Sequence, residues 1–197
     1  LKVNPSEEML LIYDMILDEC AKSIFERRTK AVEQLLPLVE RYYALLSSDR
    51  ERIGMQYRSD LQEGTMADML LASRRKDFIN EHTTVGVHRD DVIFTIAEYP
   101  LRKFGSQGQQ KSFLVALKLA EYTLLAEHNN EKPILLLDDL FDKLDMGRVA
   151  QLLRLVGSEM FGQIFITDCN KHRLQRTLSE AGAEYKLFTI AEGKHHE

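Results

Sequence analysis

The sequence predicts an α/β fold: a mostly parallel sheet with flanking helices, preceded by a helical arm. Three observations carry that prediction. Leu10, Leu17, Ile24, Ala31, Leu38 and Leu45 recur every seven residues, as one long helix requires. A short apolar run, Ile134-Leu135-Leu136-Leu137, follows Pro133 and ends in Asp138 and Asp139, which suits a strand buried on both faces of a parallel sheet. Beyond it, strand and helix patterns alternate to the end of the chain.

Composition narrows the class. At 197 residues the chain can bury a substantial core, and 44% apolar with 29% charged residues is globular rather than disordered. No apolar stretch reaches the roughly 18 residues that cross a bilayer. A net charge of −5 argues against a uniformly basic coat for nucleic acid, while leaving a local basic face open. Cys20 and Cys169 lie far apart without secretion signals, so reduced thiols in the cytoplasm are expected. The opening Leu1-Lys2-Val3-Asn4-Pro5 has neither Met nor a signal-peptide pattern and reads as the interior of a longer chain.

Taken in order, Glu7 to Ser47 is helical. Ala21, Leu35 and Tyr42 fill half-heptad positions that Asp14 and Arg28 interrupt, and Pro37 is expected to kink or restart the helix. The segment reads either as a core helix or as a projecting arm, paired with a helix upstream or with Thr65 to Glu81. Ser48 to Gly64 is polar, with a short strand near Ile53 to Tyr57. Thr65 to Ile79 is helix and carries Arg74-Arg75-Lys76, which reads as a solvated face or as a phosphate contact. Residues 1–82 form the arm and 83–197 the α/β part. Val92 to Ala97 alternates as a hairpin strand does, and Tyr99 to Phe104, with Arg102 and Lys103, leads to the next turn. Met146 to Val156 is a helix capped by Asp145 and ended by Gly157, Gln163 to Thr167 a buried strand, and Lys171 to Ala181 a helix. Tyr185 to Ile190 is a last strand and Glu192 to Glu197 a frayed tail, where His195-His196 lacks a third metal ligand at a supporting spacing.

The chemistry concentrates between Gly105 and Asp145. Gln107 to Ala126 is helical, with Ser106 at the N-cap. Gly105 and Gly108 remove bulk, so an anion can reach the first-turn amides, where the helix dipole favours negative charge. The same residues also suit an ordinary capped amphipathic helix. At the strand tip, Asp138 and Asp139 point to opposite sides, so one can hold Mg²⁺ through water while the other faces an attacking water. Asp-Asp after a strand also occurs as a plain helix cap. His88-Arg89-Asp90 fails as a kinase catalytic loop, because Thr95 stands where an Asn is needed.

Four pieces in this order resemble the C-terminal portion of the RecF family, recombination-repair ATPases related to ABC and SMC heads. They are Gly86-Val87-His88-Arg89-Asp90-Asp91, Ser106-Gln107-Gly108-Gln109-Gln110, the strand Ile134 to Asp139, and Leu144-Asp145, within about Thr84 to Thr177. Val87 replaces the usual proline, Phe141-Asp142-Lys143 a loop that usually has a small residue, and Asp168 the switch histidine of many ABC proteins. The resemblance implies the second half of an ABC-type P-loop ATPase head, with the arm emerging from it. It implies that Ser106, Gln107, Gly108 and Gln109, with Asp145, meet ATP in trans, that Asp138 serves Mg²⁺ as the Walker B carboxylate, and that Asp139 is catalytic. The motif from His88 to Asp91 becomes a family fingerprint, or otherwise an Arg–Asp pair that fixes a turn. Implied partners are gapped or single-strand/double-strand junction DNA, RecR, RecO and a second copy in an ATP-dependent dimer, with RecA loading as the outcome. Arg74, Arg75, Lys76, Arg102, Lys103, Lys171 and Arg173 are the DNA-contact candidates.

The phosphate cradle G-x-x-x-x-G-K-[ST] is absent from the sequence, whose only Gly-Lys pair is Gly193-Lys194. The family carries it in its N-terminal half, so this chain alone is expected not to turn ATP over, whereas the full-length protein is a weak DNA-dependent ATPase. Two other readings compete: an SMC-like or other ABC-type head, for which the arm is short, and a non-catalytic interaction module.

Overall fold

A helix of 41 residues, α1 (Glu7–Ser47), opens the computed structural model, which describes residues 6–48, 51–139, 143–182, 184–191 and 194–196. The helix runs through Pro37 without restarting. The amide bond lost at the proline is offset by the burial of Val39, Tyr42, Tyr43 and Leu46 just beyond it. Pro37 is also where two compact units divide, residues 1–37 with 53–104, and 38–52 with 105–197. That division differs from the 1–82 and 83–197 expected from sequence, because strand pairing ties residues 91–96 back to 53–58.

The first unit holds β1 (Ile53–Arg58), α2 (Met66–Asn80), β2 (Asp91–Ile96), β3 (Tyr99–Pro100) and the short α3 (Leu101–Phe104). The strands form an antiparallel sheet in the order β1-β2-β3, with Ile53 opposite Ile96 and Arg58 opposite Asp91. Ala97 and Glu98 connect β2 to β3 with φ of 45° and 70°, the left-handed pair that a two-residue hairpin needs. Thr65 caps α2 by accepting from the Asp68 amide at 3.2 Å. Helix α2 packs on the first half of α1: Met66 and Leu70 cluster with Ala21, Asp18 accepts from the Ala67 amide at 3.1 Å, and Arg74 pairs with Asp14. Of the two arm partners considered, Thr65 to Glu81 therefore contacts α1. The heptad series is not the covered one, since Leu17 and Ile24 are exposed.

The second unit adds α4 (Gln107–Asn129), β4 (Leu135–Leu137), α5 (Met146–Val156), β5 (Ile164–Ile166), α6 (Lys171–Glu180), β6 (Thr189–Ala191) and β7 (Lys194–His196). Its core gathers Tyr42 and Tyr43 from α1 with Phe113, Leu119, Leu152 and Phe161. Tyr122 stacks on Phe161 at 4.8 Å between ring centres and accepts from the Gly162 amide at 2.7 Å. Strands β4 and β5 are parallel, with Leu136 opposite Phe165. The expectation that this strand is buried on both faces is corrected: Leu136 is 71% and Phe165 46% exposed. Among the described residues each strand has a single partner, which leaves that face of the pair largely open. The final strand spans Thr189–Ala191 rather than Tyr185 to Ile190, and part of the expected frayed tail pairs with it as β7. Among the described residues, no helix is long and apolar enough to cross a membrane.

Candidate functional site

Ser106 is exposed and caps α4. Its hydroxyl accepts from the Gln109 amide at 3.2 Å, and Gln109 Oε1 accepts in return from the Ser106 amide at 2.7 Å, a complete capping box. Gln110 closes the turn by donating to the Gly105 carbonyl at 2.8 Å. The amides of Gln107 and Gly108 have no carbonyl to bond within the helix, and the macrodipole there favours an anion. Gly108 has a second reason to lack a side chain: a Cβ would stand 3.2 Å from the Lys143 carbonyl oxygen. The turn is thus packed against the loop leading to α5, whose cap, Asp145, accepts from the Arg148 amide at 2.9 Å. Phe141 and Asp142, which depart from the family pattern, lie outside the described residues.

A polar cluster stands behind this turn. Glu51 accepts from Gln109 Nε2 at 2.8 Å and from the Tyr43 hydroxyl, and faces Arg148 Nη2 at 3.5 Å. Arg148 Nη1 donates to the Ser112 hydroxyl at 2.6 Å and reaches the Gly108 carbonyl at 3.4 Å, while its Nε meets Asp145 at 3.2 Å. Burial acts to raise the Glu51 carboxyl, but hydrogen bonds from Tyr43 and Gln109 and the charge of Arg148 outweigh it and hold it below the usual range. Burial, reinforced by Glu51, pushes the Tyr43 hydroxyl well up, so it stays a donor. Sequence reasoning missed this cluster. Glu51 sits in a polar loop with no local pattern, and only the Asp145–Arg148 spacing was readable.

In the same unit, Asp138 and Asp139 are exposed at the C-terminal tip of β4, the place where ligands of open parallel sheets bind. Thr167, at the tip of β5, donates to Asp138, and its hydroxyl oxygen lies 3.4 Å from the Asp139 amide. Its own amide donates to the Leu137 carbonyl at 2.9 Å, so parallel pairing fixes where the hydroxyl falls. Asp139 takes a left-handed φ of 48°, which Asp tolerates better than most residues. Asp168 follows Thr167 and accepts from the Asn170 amide at 2.7 Å. Among the described residues no group of three or more His, Cys, Asp or Glu forms a metal cage.

In the first unit, Asp90 is held from afar. Arg28 donates to it at 2.8 Å and to the Val87 carbonyl at 2.6 Å, and Tyr57 donates to the same carboxylate. The pair that fixes this turn is therefore Arg28–Asp90, with His88 and Arg89 exposed beside it. Of the basic candidates on α2, Arg75 and Lys76 are exposed while Arg74 is engaged with Asp14. Arg102 and Lys103 are exposed on α3. On α6, Lys171 donates to the Thr189 hydroxyl at 3.0 Å, and the half-buried Arg173 meets the Met146 sulfur at 3.2 Å.

No family model matches the chain. Curated relatives do. A DNA replication and repair protein RecF of Bacteroides thetaiotaomicron is 38% identical over 187 residues, covering 95% of this chain and 51% of that protein. The RecF of Flavobacterium johnsoniae is 41% identical over 183 residues, 93% of this chain and 51% of the relative, and that of Porphyromonas gingivalis 37% over 196 residues, 98% and 54%. The chain spans about half the length of the curated relatives it matches. Two solved structures of the recombination mediator protein RecF of the RecFOR pathway share the fold. One, with an ATP analogue, superposes with a TM-score of 0.74 at 26% identity over 98% of this chain and 52% of that one. The other, with ATP, gives 0.70 at 29% identity over 85% and 46%. Of the three readings drawn from sequence, these matches support the recombination protein. Identity of 37–41% along nearly the whole chain and a shared fold make it similar to the C-terminal part of the DNA replication and repair protein RecF.

Proposed function

We propose that this chain supplies the trans-acting turn and the acidic strand tip of a RecF-type ATPase that dimerises on ATP. The intact protein binds gapped duplex or single-strand/double-strand junction DNA in the bacterial cytoplasm and, with RecO and RecR, helps load recombinase. The reading is supported above all by one arrangement: a single unit presents an exposed, capped helix N-terminus and an exposed pair of carboxylates at the end of a parallel strand. The solved relatives bound to ATP or an analogue lend it weight.

The residues fit a magnesium nucleotide. Ser106 offers its hydroxyl and Gln107 and Gly108 their backbone amides to the terminal phosphate held by the second copy, while Gln109 holds the turn through the capping box and Asp145 fixes the neighbouring loop. Asp138 would hold Mg²⁺, and Asp139 would orient the attacking water. Bound Mg²⁺ supplies charge neutralisation on the phosphates. Thr167 aims the Asp138 carboxylate and limits its rotation. The two sites of such a dimer are related by a twofold axis, each copy lending its turn to the other. Arg75, Lys76, Arg102, Lys103, Lys171 and Arg173 contact DNA phosphates, giving salt-sensitive affinity without sequence preference; Arg74 must leave Asp14 to join them.

The test is Ser106→Arg in the intact protein. ATP-dependent dimerisation, followed by sedimentation, should be lost while the monomer still binds ATP. Dimerisation that survives the change refutes the trans role. Because the G-x-x-x-x-G-K-[ST] pattern is absent from these 197 residues, the chain by itself is expected to show no metal-dependent ATP hydrolysis.

A further inference from the structure

Gln109 has an amide with two different ends, and both are committed. Its oxygen accepts from the Ser106 backbone and its nitrogen donates to Glu51, 58 residues away in sequence. Turning the amide over would set its oxygen against the Glu51 carboxylate and its NH₂ against the Ser106 N–H, losing both bonds. Glu51 therefore decides which end of Gln109 faces the cap. The same carboxylate faces Arg148, which also reaches Gly108, Ser112 and the α5 cap, Asp145. Arg148 thus ties the first turn of α4 to the first turn of α5. The Glu51 and Arg148 side chains are only 23% and 16% exposed, so neither is a plain solvated surface charge. The cation also offsets the carboxylate, so the cluster does not repel an anion at the Gln107 and Gly108 amides.

We infer that Glu51 and Arg148 are positioning residues for the turn from Ser106 to Gln109, holding it in the one orientation that can accept the phosphate of a nucleotide bound by a second copy. This rests on the trans role proposed above. Neither residue touches the nucleotide; each acts through Gln109 or the Gly108 backbone. A turn so braced meets its ligand already formed, and the ordering that an unbraced turn would undergo on binding is avoided.

The experiment uses the intact protein with Glu51→Ala, Gln109→Glu, the pair Glu51→Gln with Gln109→Glu, and Ser106→Arg as reference. ATP-dependent dimerisation and nucleotide binding by the monomer are measured for each. Glu51→Ala should weaken dimerisation about tenfold, the scale of one lost hydrogen bond to a charged group, with monomer affinity for nucleotide unchanged. Gln109→Glu alone keeps the capping box but sets two carboxylates face to face, and should weaken dimerisation similarly. In the pair, donor and acceptor exchange sides, so dimerisation should return toward the parent value. A merely structural role would not give that recovery. Should Glu51→Ala fail to fold, the swapped pair still decides: dimerisation no better than Gln109→Glu alone overturns the inference. So does parental dimerisation by both single variants while Ser106→Arg is blocked. If Ser106→Arg itself dimerises normally, it is the trans role that fails.

Discussion

The Ser106 hydroxyl serves two purposes that substitution can separate, capping α4 and meeting a phosphate. Aspartate caps a helix as well as serine, and its charge suits the dipole. Ser106→Asp should therefore leave stability within about 0.5 kcal/mol of the parent or slightly above it. Alanine cannot accept from the Gln109 amide, now 3.2 Å from the hydroxyl. Ser106→Ala should cost about 1 kcal/mol. For dimerisation the order reverses. A carboxylate about 5 Å from one phosphate charge, at an effective dielectric near 20, is repelled by about 3 kcal/mol, more than a hundredfold in affinity. Alanine loses one donor, about 1 kcal/mol or some fivefold. Stability should rank Asp and Ser above Ala, whereas ATP-dependent dimerisation should rank Ser above Ala and both far above Asp. Urea unfolding gives the first ranking and sedimentation with ATP the second. If dimerisation simply tracks stability, or the Asp variant dimerises like the parent, then no phosphate approaches this turn.

Three further outcomes follow from other residues. Asp77 is buried and accepts from the Thr84 amide, the Thr84 hydroxyl and the Ser73 hydroxyl at 2.9, 2.6 and 2.7 Å. Burial acts to raise its pKa but these bonds win and lower it, so its contribution is full above the unfolded value near 4 and is lost as pH falls through the lower folded value. Asp77→Asn should flatten the fall of stability in acid, and Asp77→Ala should cost about 3 kcal/mol at neutral pH, both read by urea titration. Asp90→Ala strands the buried Tyr57 hydroxyl and releases Arg28, and should destabilise the first unit by about 2–4 kcal/mol, with faster amide exchange in β1 and β2. Asp139→Asn in the intact protein should slow ATP hydrolysis about a hundredfold or more while the ATP-bound dimer persists longer, and unchanged turnover would remove Asp139 from the chemistry.

Much of the fold was legible because its cues are local. Helix α1 matches its expected span, α4 and α5 begin at the caps read from Ser106 and Asp145, and α2 and α6 start within a residue of the expected Thr65 and Lys171, behind the caps Thr65 and Asn170 that only the structure identifies. The heptad series misled about which face of α1 is covered. Leu17, Ile24 and Leu45 are exposed, whereas Asp14, Ala21, Arg28 and Tyr42 make the contacts. The polar residues that interrupted the second series are its ion-pairing members, because a helix can direct a charge inward when a partner waits there. Local periodicity does not reveal that partner.

What the sequence by itself determined is whatever a few neighbouring residues settle between them: helices and their caps, the apolar strand ending in Asp138 and Asp139, and the motif order that points to the RecF family. What only the tertiary structure decided are the pairings across long separations, namely Arg28 with Asp90, Glu51 with Gln109 and Thr167 with Asp138. Periodicity and capping act within a turn or two of helix, where spacing along the chain is also spacing in space. A carboxylate in a polar loop carries no mark of its partner until packing and strand pairing bring the two within hydrogen-bond reach.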